Sequence, residues 1–139
     1  MRDTSRRDAP ARTEDSPIVR VLVADDSRPF LEAAVDVVKV TGGFELVGTA
    51  DSGEEAVALA DSTRPDLVLL DLRMPGIGGR EAGSQIGAAS PQTKIVLMTA
   101  DSGNSFAPPE QISSRFAVLD KRTLTPAALS AVWETLRAG

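Results

Sequence analysis

The chain has 139 residues, a formal net charge of −5 and an isoelectric point of about 4.7, and it contains neither cysteine nor histidine. These missing residue types exclude disulfides, thiolate metal sites and a phosphohistidine carried by the chain itself, and the acidic charge disfavours direct binding to nucleic acid. No apolar run approaches the length of a membrane span, and the N-terminus lacks the apolar stretch of a signal peptide. We therefore expect one cytoplasmic domain that does not bind membranes.

The N-terminal segment differs in composition from the rest of the chain. Residues 1–17 mix Arg with Asp and Glu and contain almost no large apolar side chain, so we expect a disordered tail. Residues 18–139 alternate strand-like and helix-like patterns, and we assign them to a single domain. The predicted strands are Val19–Ala24, Phe44–Thr49, Asp66–Leu70, Ile95–Thr99 and Phe116–Leu119. Three of them are nearly continuous apolar runs typical of buried parallel strands, whereas Glu45 interrupts the second and indicates an edge position.

Three helices carry clear start signals. Ser27 is a suitable N-cap for the first helix, and Ser52 with Glu55 forms a capping box at the second. Thr125 and Pro126 open the last helix in the same way. The buried stripes are predicted at Leu31, Ala34, Val35 and Val38 in the first helix and at Leu129, Val132, Trp133 and Leu136 in the last.

Two further helices have weak patterns. Arg80–Ala89 contains Gly83 and Gly87, each of which costs about 1 kcal/mol relative to Ala in a helix interior. The segment between the last two strands contains consecutive prolines, so a helix there is predicted to be short, at Pro109–Arg115. The whole alternation predicts an α/β fold, a doubly wound five-stranded parallel sheet with helices on both faces.

Polar residues follow four of the predicted strands. Asp25 and Asp26 come after the first, Asp71 after the third, Thr99 ends the fourth, and Lys121 follows the fifth. The carboxyl ends of parallel strands lie along one edge of a sheet, where ligands bind. The sequence therefore predicts an anionic pocket at this edge that holds Mg²⁺ and accepts phosphate.

These residues also carry a family resemblance. The acidic pair Asp25-Asp26, the D-x-x-M-P segment from Asp71 to Pro75 with Gly79, the step Thr99-Ala100, and Lys121 occur in the order and at the separations of a receiver domain. From Val19 to Leu136 the chain resembles the CheY-like receiver domain of bacterial two-component response regulators, and it is most similar to receivers of the NarL/FixJ type.

The resemblance implies a role for each residue. Asp71 is the expected phosphoryl acceptor, and Thr99, Ala100 and Lys121 are expected to bind the phosphoryl group. Asp26, Asp71 and the backbone carbonyl of Arg73 are expected to ligate Mg²⁺ or Mn²⁺ directly, and Asp25 through water. Such a domain catalyses only its own phosphorylation and dephosphorylation.

Val118, Arg73 and Asp101 bear on regulation. Receivers usually carry an aromatic residue three positions before the lysine, where this chain has Val118, and strand alternation puts Phe116 on the same face. The resemblance also places Arg73 and Asp101 beside the approach of water to the acyl phosphate, where their opposite charges could pair.

Two other functions are left open by the residues. A haloacid-dehalogenase-like phosphatase also uses an aspartate at a strand end, but it requires a second Asp where this chain has Arg73, and the chain is short for that family. A receiver-like binding module that acts through protein contacts is the other alternative, because Val118 and Pro108-Pro109 are atypical of receivers that switch.

The resemblance also implies partners. The phosphoryl donor is expected to be a histidine kinase or a His phosphotransfer protein, and the output is expected to be another protein or an effector domain. A phosphorylation-dependent homodimer is a further possibility. The sequence leaves open whether the chain acts alone or as part of a longer, DNA-binding regulator.

Overall fold

A parallel sheet with helices on both sides organises the chain in the computed structural model, which describes residues 17–100 and 116–138. The strands are β1 (Val19–Ala24), β2 (Phe44–Ala50), β3 (Leu67–Asp71), β4 (Lys94–Thr99) and β5 (Phe116–Asp120). The helices are α1 (Arg28–Val40), α2 (Gly53–Thr63), α3 (Gly78–Ala89) and α4 (Pro126–Ala138), and a 3₁₀ turn (Lys121–Thr123) precedes α4. The predicted strands agree with the observed ones to within one residue at each end.

The strand order is β2-β1-β3-β4-β5, and all four strand pairs are parallel. The predicted doubly wound α/β fold is therefore confirmed. The edge position of β2 is also confirmed, and Glu45 on it is exposed. Because the chain moves outward in both directions from β1 and β3, the carboxyl ends of these two central strands form the middle of one sheet edge.

Strand alternation divides the core into two apolar layers. One layer joins the sheet to α1 and α4 through side chains that include Val23, Leu69 and Leu129. The other joins it to α2 and α3 through side chains that include Leu70 and Ile86. All five residues of β3 are buried, which explains the unbroken apolar run in its sequence. No helix in the described part of the chain is long and apolar enough to cross a bilayer.

The helix starts follow the predicted capping signals, with one difference. The Ser52 side chain accepts the backbone N–H of Glu55 at 3.1 Å, and the Thr125 side chain accepts that of Ala128 at 3.1 Å. Ser27 occupies the N-cap position of α1, but its side chain makes no capping hydrogen bond. Its backbone N–H instead donates to Asp25 Oδ1 at 2.8 Å, so the acidic pair itself helps to start α1.

The glycines of α3 have a packing role that could not be predicted from their low helix propensity. The predicted start at Arg80 was late by two residues, because α3 begins at Gly78. A Cβ on Gly79 would lie 2.2 Å from the backbone oxygen of Asp71, and one on Gly83 would lie 3.2 Å from Ile95 Cγ2. The absence of side chains lets α3 approach β3 and β4 closely enough to cover the sheet.

Two predictions fall on residues outside the described ranges. The expected disordered tail covers residues 1–17, of which only Pro17 is described. The short helix expected at residues 109–115 lies wholly outside the described residues.

Gly79→Ala should destabilise the fold strongly. The new methyl group would collide with backbone rather than with a flexible side chain, so we expect a loss of about 3 kcal/mol in the free energy of unfolding. Urea denaturation measures this loss. Gly42→Ala is the control, because no heavy atom lies within 4 Å of a Cβ at that position, and its effect should stay within about 0.5 kcal/mol. Equal effects of the two substitutions would contradict the packing argument.

Candidate functional site

The polar residues predicted to share one edge of the sheet are brought together there. Asp25 and Asp26 follow β1, Asp71 ends β3, Thr99 ends β4 and Lys121 follows β5. The register pairs Thr99 with Asp120, which brings the next residue, Lys121, to the end of β4. Backbone hydrogen bonds extend the pairing past the strands, since Leu72 N–H donates to the carbonyl of Met98 at 2.7 Å.

Three carboxylates form the centre of the site. Asp25, Asp26 and Asp71 each offer an oxygen within 4.8 Å of the others. Asp25 and Asp71 are buried, and Asp26 is exposed. Like charges this close repel each other, so the cluster requires a compensating cation.

Lys121 supplies one positive charge. Its Nζ lies 2.8 Å from Asp25 Oδ2 and 3.5 Å from Asp71 Oδ1. The Lys121 side chain is only 6% exposed, so these interactions take place in a partly desolvated site. They are stronger there than between groups on an open surface.

The pKa of the Asp71 carboxyl is raised above its ordinary value. Burial is the largest cause of the rise and the nearby charge of Asp25 adds to it, so that the pKa of Asp71 is raised from 3.8 to about 6. Lys121 and the backbone N–H of Arg73, which donates to Asp71 Oδ1 at 3.4 Å, act in the opposite direction. The carboxyl is therefore mainly ionised at neutral pH, but its charge is destabilised.

A polar cavity opens beside Asp71. Its remaining walls are Leu72, Arg73, Thr99, Ala100 and Lys121. Thr99 is buried at 4% exposure, whereas Arg73 and Ala100 lie at the exposed mouth. A hydroxyl and an ammonium thus face the same space as the carboxylate, which suits a tetrahedral oxyanion attached to Asp71.

The donor set also fits a divalent cation. Three carboxylates and one ammonium leave two negative charges, and oxygen ligands are those preferred by Mg²⁺ and Mn²⁺. Both Asp25 oxygens already have partners in Ser27 N–H and Lys121. The roles of Asp26 and Asp71 as direct ligands and of Asp25 as an indirect one stay a prediction.

Comparison with known proteins identifies the family to which the chain belongs. A sequence model of the response regulator receiver domain matches residues 21–121. The chain belongs to the response regulator receiver domain family.

Curated relatives of this receiver domain are response regulators. The response regulator GacA of Pseudomonas viridiflava is 38% identical over 89 residues, which are 64% of this chain and 42% of GacA. The probable transcriptional regulatory protein NarL of Mycobacterium tuberculosis is 37% identical over 82 residues, which are 59% of this chain and 38% of NarL. The matches thus span about two fifths of the length of these relatives.

One curated relative is an enzyme. A protein-glutamate methylesterase/protein-glutamine glutaminase of Anaeromyxobacter dehalogenans is 45% identical over 87 residues, or 63% of this chain, but only 25% of the enzyme is matched. The receiver is thus one part of proteins with different overall activities.

Solved structures share the fold. The receiver domain of the putative response regulator NarL from Mycobacterium tuberculosis aligns with a TM-score of 0.72 and 28% identity over 88% of this chain and 99% of that one. A LuxR-family response regulator from Aurantimonas aligns with a TM-score of 0.74 and 30% identity over 88% of this chain and 86% of its own. The predicted NarL-type, CheY-like receiver fold is confirmed.

The predicted regulatory positions of the receiver are only partly described. Val118 and Phe116 both pack against the layer that contains α2 and α3, so their shared face is confirmed. Val118 is paired in register with Leu97. Asp101 lies outside the described residues, so its pairing with Arg73 stays a prediction.

The sequence reasoning missed one residue of the site. Phe30, in the first turn of α1, places its ring centroid 4.1 Å from Lys121 Nζ. The available signal was a large aromatic residue in the first turn after an acidic pair. It was hidden because Phe30 is adjacent to the apolar stripe that begins at Leu31 and resembles a core residue.

The raised pKa of Asp71 predicts a pH-dependent stability for the metal-free receiver. Because folding raises this pKa from 3.8 to about 6, the protonated form is favoured in the folded state. Its stabilising contribution is complete below pH 3.8 and is lost as the pH rises to about 6. Asp71→Asn should therefore gain on the order of 1 kcal/mol over the unsubstituted receiver above pH 6, after solvent screening is allowed for.

Urea denaturation in a metal chelator, at a series of pH values from acidic to neutral, measures this gain. Asp36→Asn, which changes an exposed aspartate of α1, is the matched control and should show no such trend. A gain for Asp71→Asn that is independent of pH would contradict the assignment of the raised pKa.

Proposed function

We propose that this receiver accepts a phosphoryl group on Asp71 in a reaction that depends on Mg²⁺ or Mn²⁺, and that the modified domain signals in two-component signal transduction. One observation carries the proposal. The ammonium of Lys121 contacts both Asp25 and Asp71, and Thr99 and Lys121 line the cavity into which a group on Asp71 would project.

The chemistry is nucleophilic substitution at phosphorus. A carboxylate oxygen of Asp71 forms a new O–P bond while the bond between phosphorus and the donor's leaving group breaks, and the leaving group takes a proton from solvent. The product is an acyl phosphate, as in other enzymes that form aspartyl phosphates. Such a reaction requires mainly positioning and charge stabilisation from the protein.

The surrounding residues divide this work. Lys121 pairs with one oxygen of the transferred group, and the hydroxyl of Thr99 donates to another. The backbone N–H of Ala100 lies at the same mouth and completes the binding of the phosphoryl group. A bound divalent cation would be held by Asp26, Asp71 and the Arg73 carbonyl, with Asp25 in support, and would neutralise the charge that builds up between these carboxylates.

The output of the reaction is a conformational change. When Thr99 turns toward the phosphoryl group, it leaves space on the side of β4 and β5 where Val118 and Phe116 pack. Arg73 at the mouth modulates the lifetime of the acyl phosphate, together with Asp101. This chain has the small Val118 at the position on β5 where receivers usually carry an aromatic residue.

We further propose the partners that this chemistry requires. A histidine kinase or His phosphotransfer protein in the cytoplasm donates the phosphoryl group, since the chain contains no histidine. The receiver acts on an output protein, on an effector domain of a longer regulator or through a phosphorylation-dependent homodimer. We do not expect this acidic domain to bind DNA by itself, because its net charge is −5.

Incubation with acetyl phosphate and Mg²⁺ tests the acceptor. We expect a single phosphoryl group per molecule by intact mass, released by hydroxylamine because it is an acyl phosphate, and none in Asp71→Asn. Asp36→Asn serves as the control and should be modified at the normal rate. Steady release of phosphate from phosphate esters would instead indicate a phosphatase, and no reaction would indicate a binding module.

Lys121→Gln should separate metal binding from phosphoryl transfer. Removing a positive charge a few ångströms from the carboxylates should raise Mg²⁺ affinity by about tenfold. The same change should slow phosphorylation by about 100-fold, because one stabilising contact to the transferred oxygens is lost. Isothermal titration with MgCl₂ and acetyl phosphate kinetics measure the two effects. A decrease in both quantities would contradict the proposed position of the ammonium.

A further inference from the structure

The ammonium of Lys121 has an aromatic contact in addition to its two carboxylates. Its Nζ lies 4.1 Å from the ring centroid of Phe30, within the range of a cation–π interaction. Phe30 is half-buried, and within the described residues it belongs to neither of the two apolar layers. Its ring thus lies beside the ammonium of the site.

Asp25 connects the ring to the ammonium. Its Oδ2 accepts from Lys121 Nζ, and its Oδ1 accepts the backbone N–H of Ser27, the N-cap residue of α1. Phe30 is the third residue of that helix. One buried carboxylate thus fixes both the cation and the helical turn that carries the ring, which holds the two at a defined separation.

The Lys121 side chain also borders a small cavity. This cavity has a volume of about 40 Å³ and is lined mainly by apolar residues, among them Ala33, Val37 and Leu124. Phe30 forms part of the same wall. The ring limits the directions in which the ammonium can leave the carboxylates.

We propose that Phe30 is a positioning residue, whose ring face holds the Lys121 ammonium between Asp25 and Asp71. The inference rests on the proposed function, because this is the location at which the ammonium would pair with a phosphoryl group on Asp71. Phe30 itself does not contact the transferred group. It acts through Lys121 by restricting the positions that the ammonium adopts.

Substitutions that keep or remove the ring test the proposal. Phe30→Leu keeps an apolar side chain but lacks the ring, and it should slow phosphorylation by acetyl phosphate by about tenfold. Phe30→Tyr and Phe30→Trp retain the π face and should stay within about threefold of the unsubstituted rate. Mono-, di- and trifluorinated phenylalanine at position 30 keep the shape of the ring while weakening its negative face, so the rate should fall stepwise with fluorination.

A spectroscopic measurement follows the contact without any phosphorylation. Protons above an aromatic ring are shifted upfield by its ring current, so the terminal methylene and ammonium protons of Lys121 should show this shift in NMR spectra. The shift should disappear in Phe30→Leu. Phe44→Leu is the matched control, because Phe44 is a half-buried phenylalanine on the edge strand β2 that packs against the core, and it should change neither the Lys121 resonances nor the phosphorylation rate.

The outcomes distinguish this inference from the proposed function. If Asp71 is phosphorylated normally and Phe30→Leu matches the Phe44→Leu control in both rate and Lys121 shift, the positioning role is wrong. Equal rates across the fluorinated series would also overturn it, because a packing role depends on shape alone. If Asp71 accepts no phosphoryl group in any variant, the proposed function fails, and the NMR shift still decides whether Phe30 holds Lys121.

Should Phe30→Leu fail to fold, the fluorinated series decides the question, since these residues change the shape of the side chain little. Mg²⁺ affinity should not fall in any folded variant, because the three carboxylates are unaltered and an ammonium that leaves them would only favour the cation. A matching loss of Mg²⁺ affinity in the series would show a general disturbance of the site and would overturn the specific role of the ring.

Discussion

The contact between one ammonium and two carboxylates is the interaction on which the site depends. Asp25 and Asp71 lie at the ends of adjacent strands, and both are buried. Without a cation between them their charges would repel and favour either protonation or separation of the strand ends. Lys121, delivered from the far side of the sheet by β5, supplies that cation. The residual negative charge then suits a divalent metal ion, and the same ammonium suits the phosphoryl group that we propose Asp71 accepts.

The fold provides this arrangement through parallel pairing. Parallel strands end on the same edge, so residues far apart in the sequence become neighbours without any connection passing through the site. Close packing of α3 against β3 stabilises this edge of the sheet, because Gly79 lets α3 approach the backbone of Asp71. The Asp71 carboxylate is therefore held by buried backbone, while Arg73 and Ala100 form the exposed mouth.

Much of this could be predicted from the residues because the signals are local. Local sequence was enough to predict three kinds of feature. These are the buried strands from apolar runs, the helix starts from the capping residues Ser52 and Thr125, and the polar edge from residues at strand ends. Packing between distant segments was less accessible. The start of α3 at Gly78 depends on how a helix meets a strand, which no propensity scale describes.

Phe30 illustrates the same limit within the site. Its partner is 91 positions later in the chain, and only the fold brings them together. In sequence, a phenylalanine beside an apolar stripe is most simply read as part of the core. The role of Ser27 was also misjudged in detail, because its backbone serves Asp25 while its hydroxyl makes no capping bond.

The placement of Lys121 after an edge strand has a consequence for how the site can be lost. Among the strands of the described ranges β5 pairs with β4 alone, and four of its five residues are only partly buried, in contrast to the fully buried β3. Elements of this kind open locally at lower free energy than the whole domain. Detachment of β5 would withdraw the ammonium and leave the acidic cluster to repel itself, while the central strands stay folded. The phosphoryl transfer proposed for Asp71 would therefore depend on the attachment of an edge strand as well as on the buried centre of the sheet.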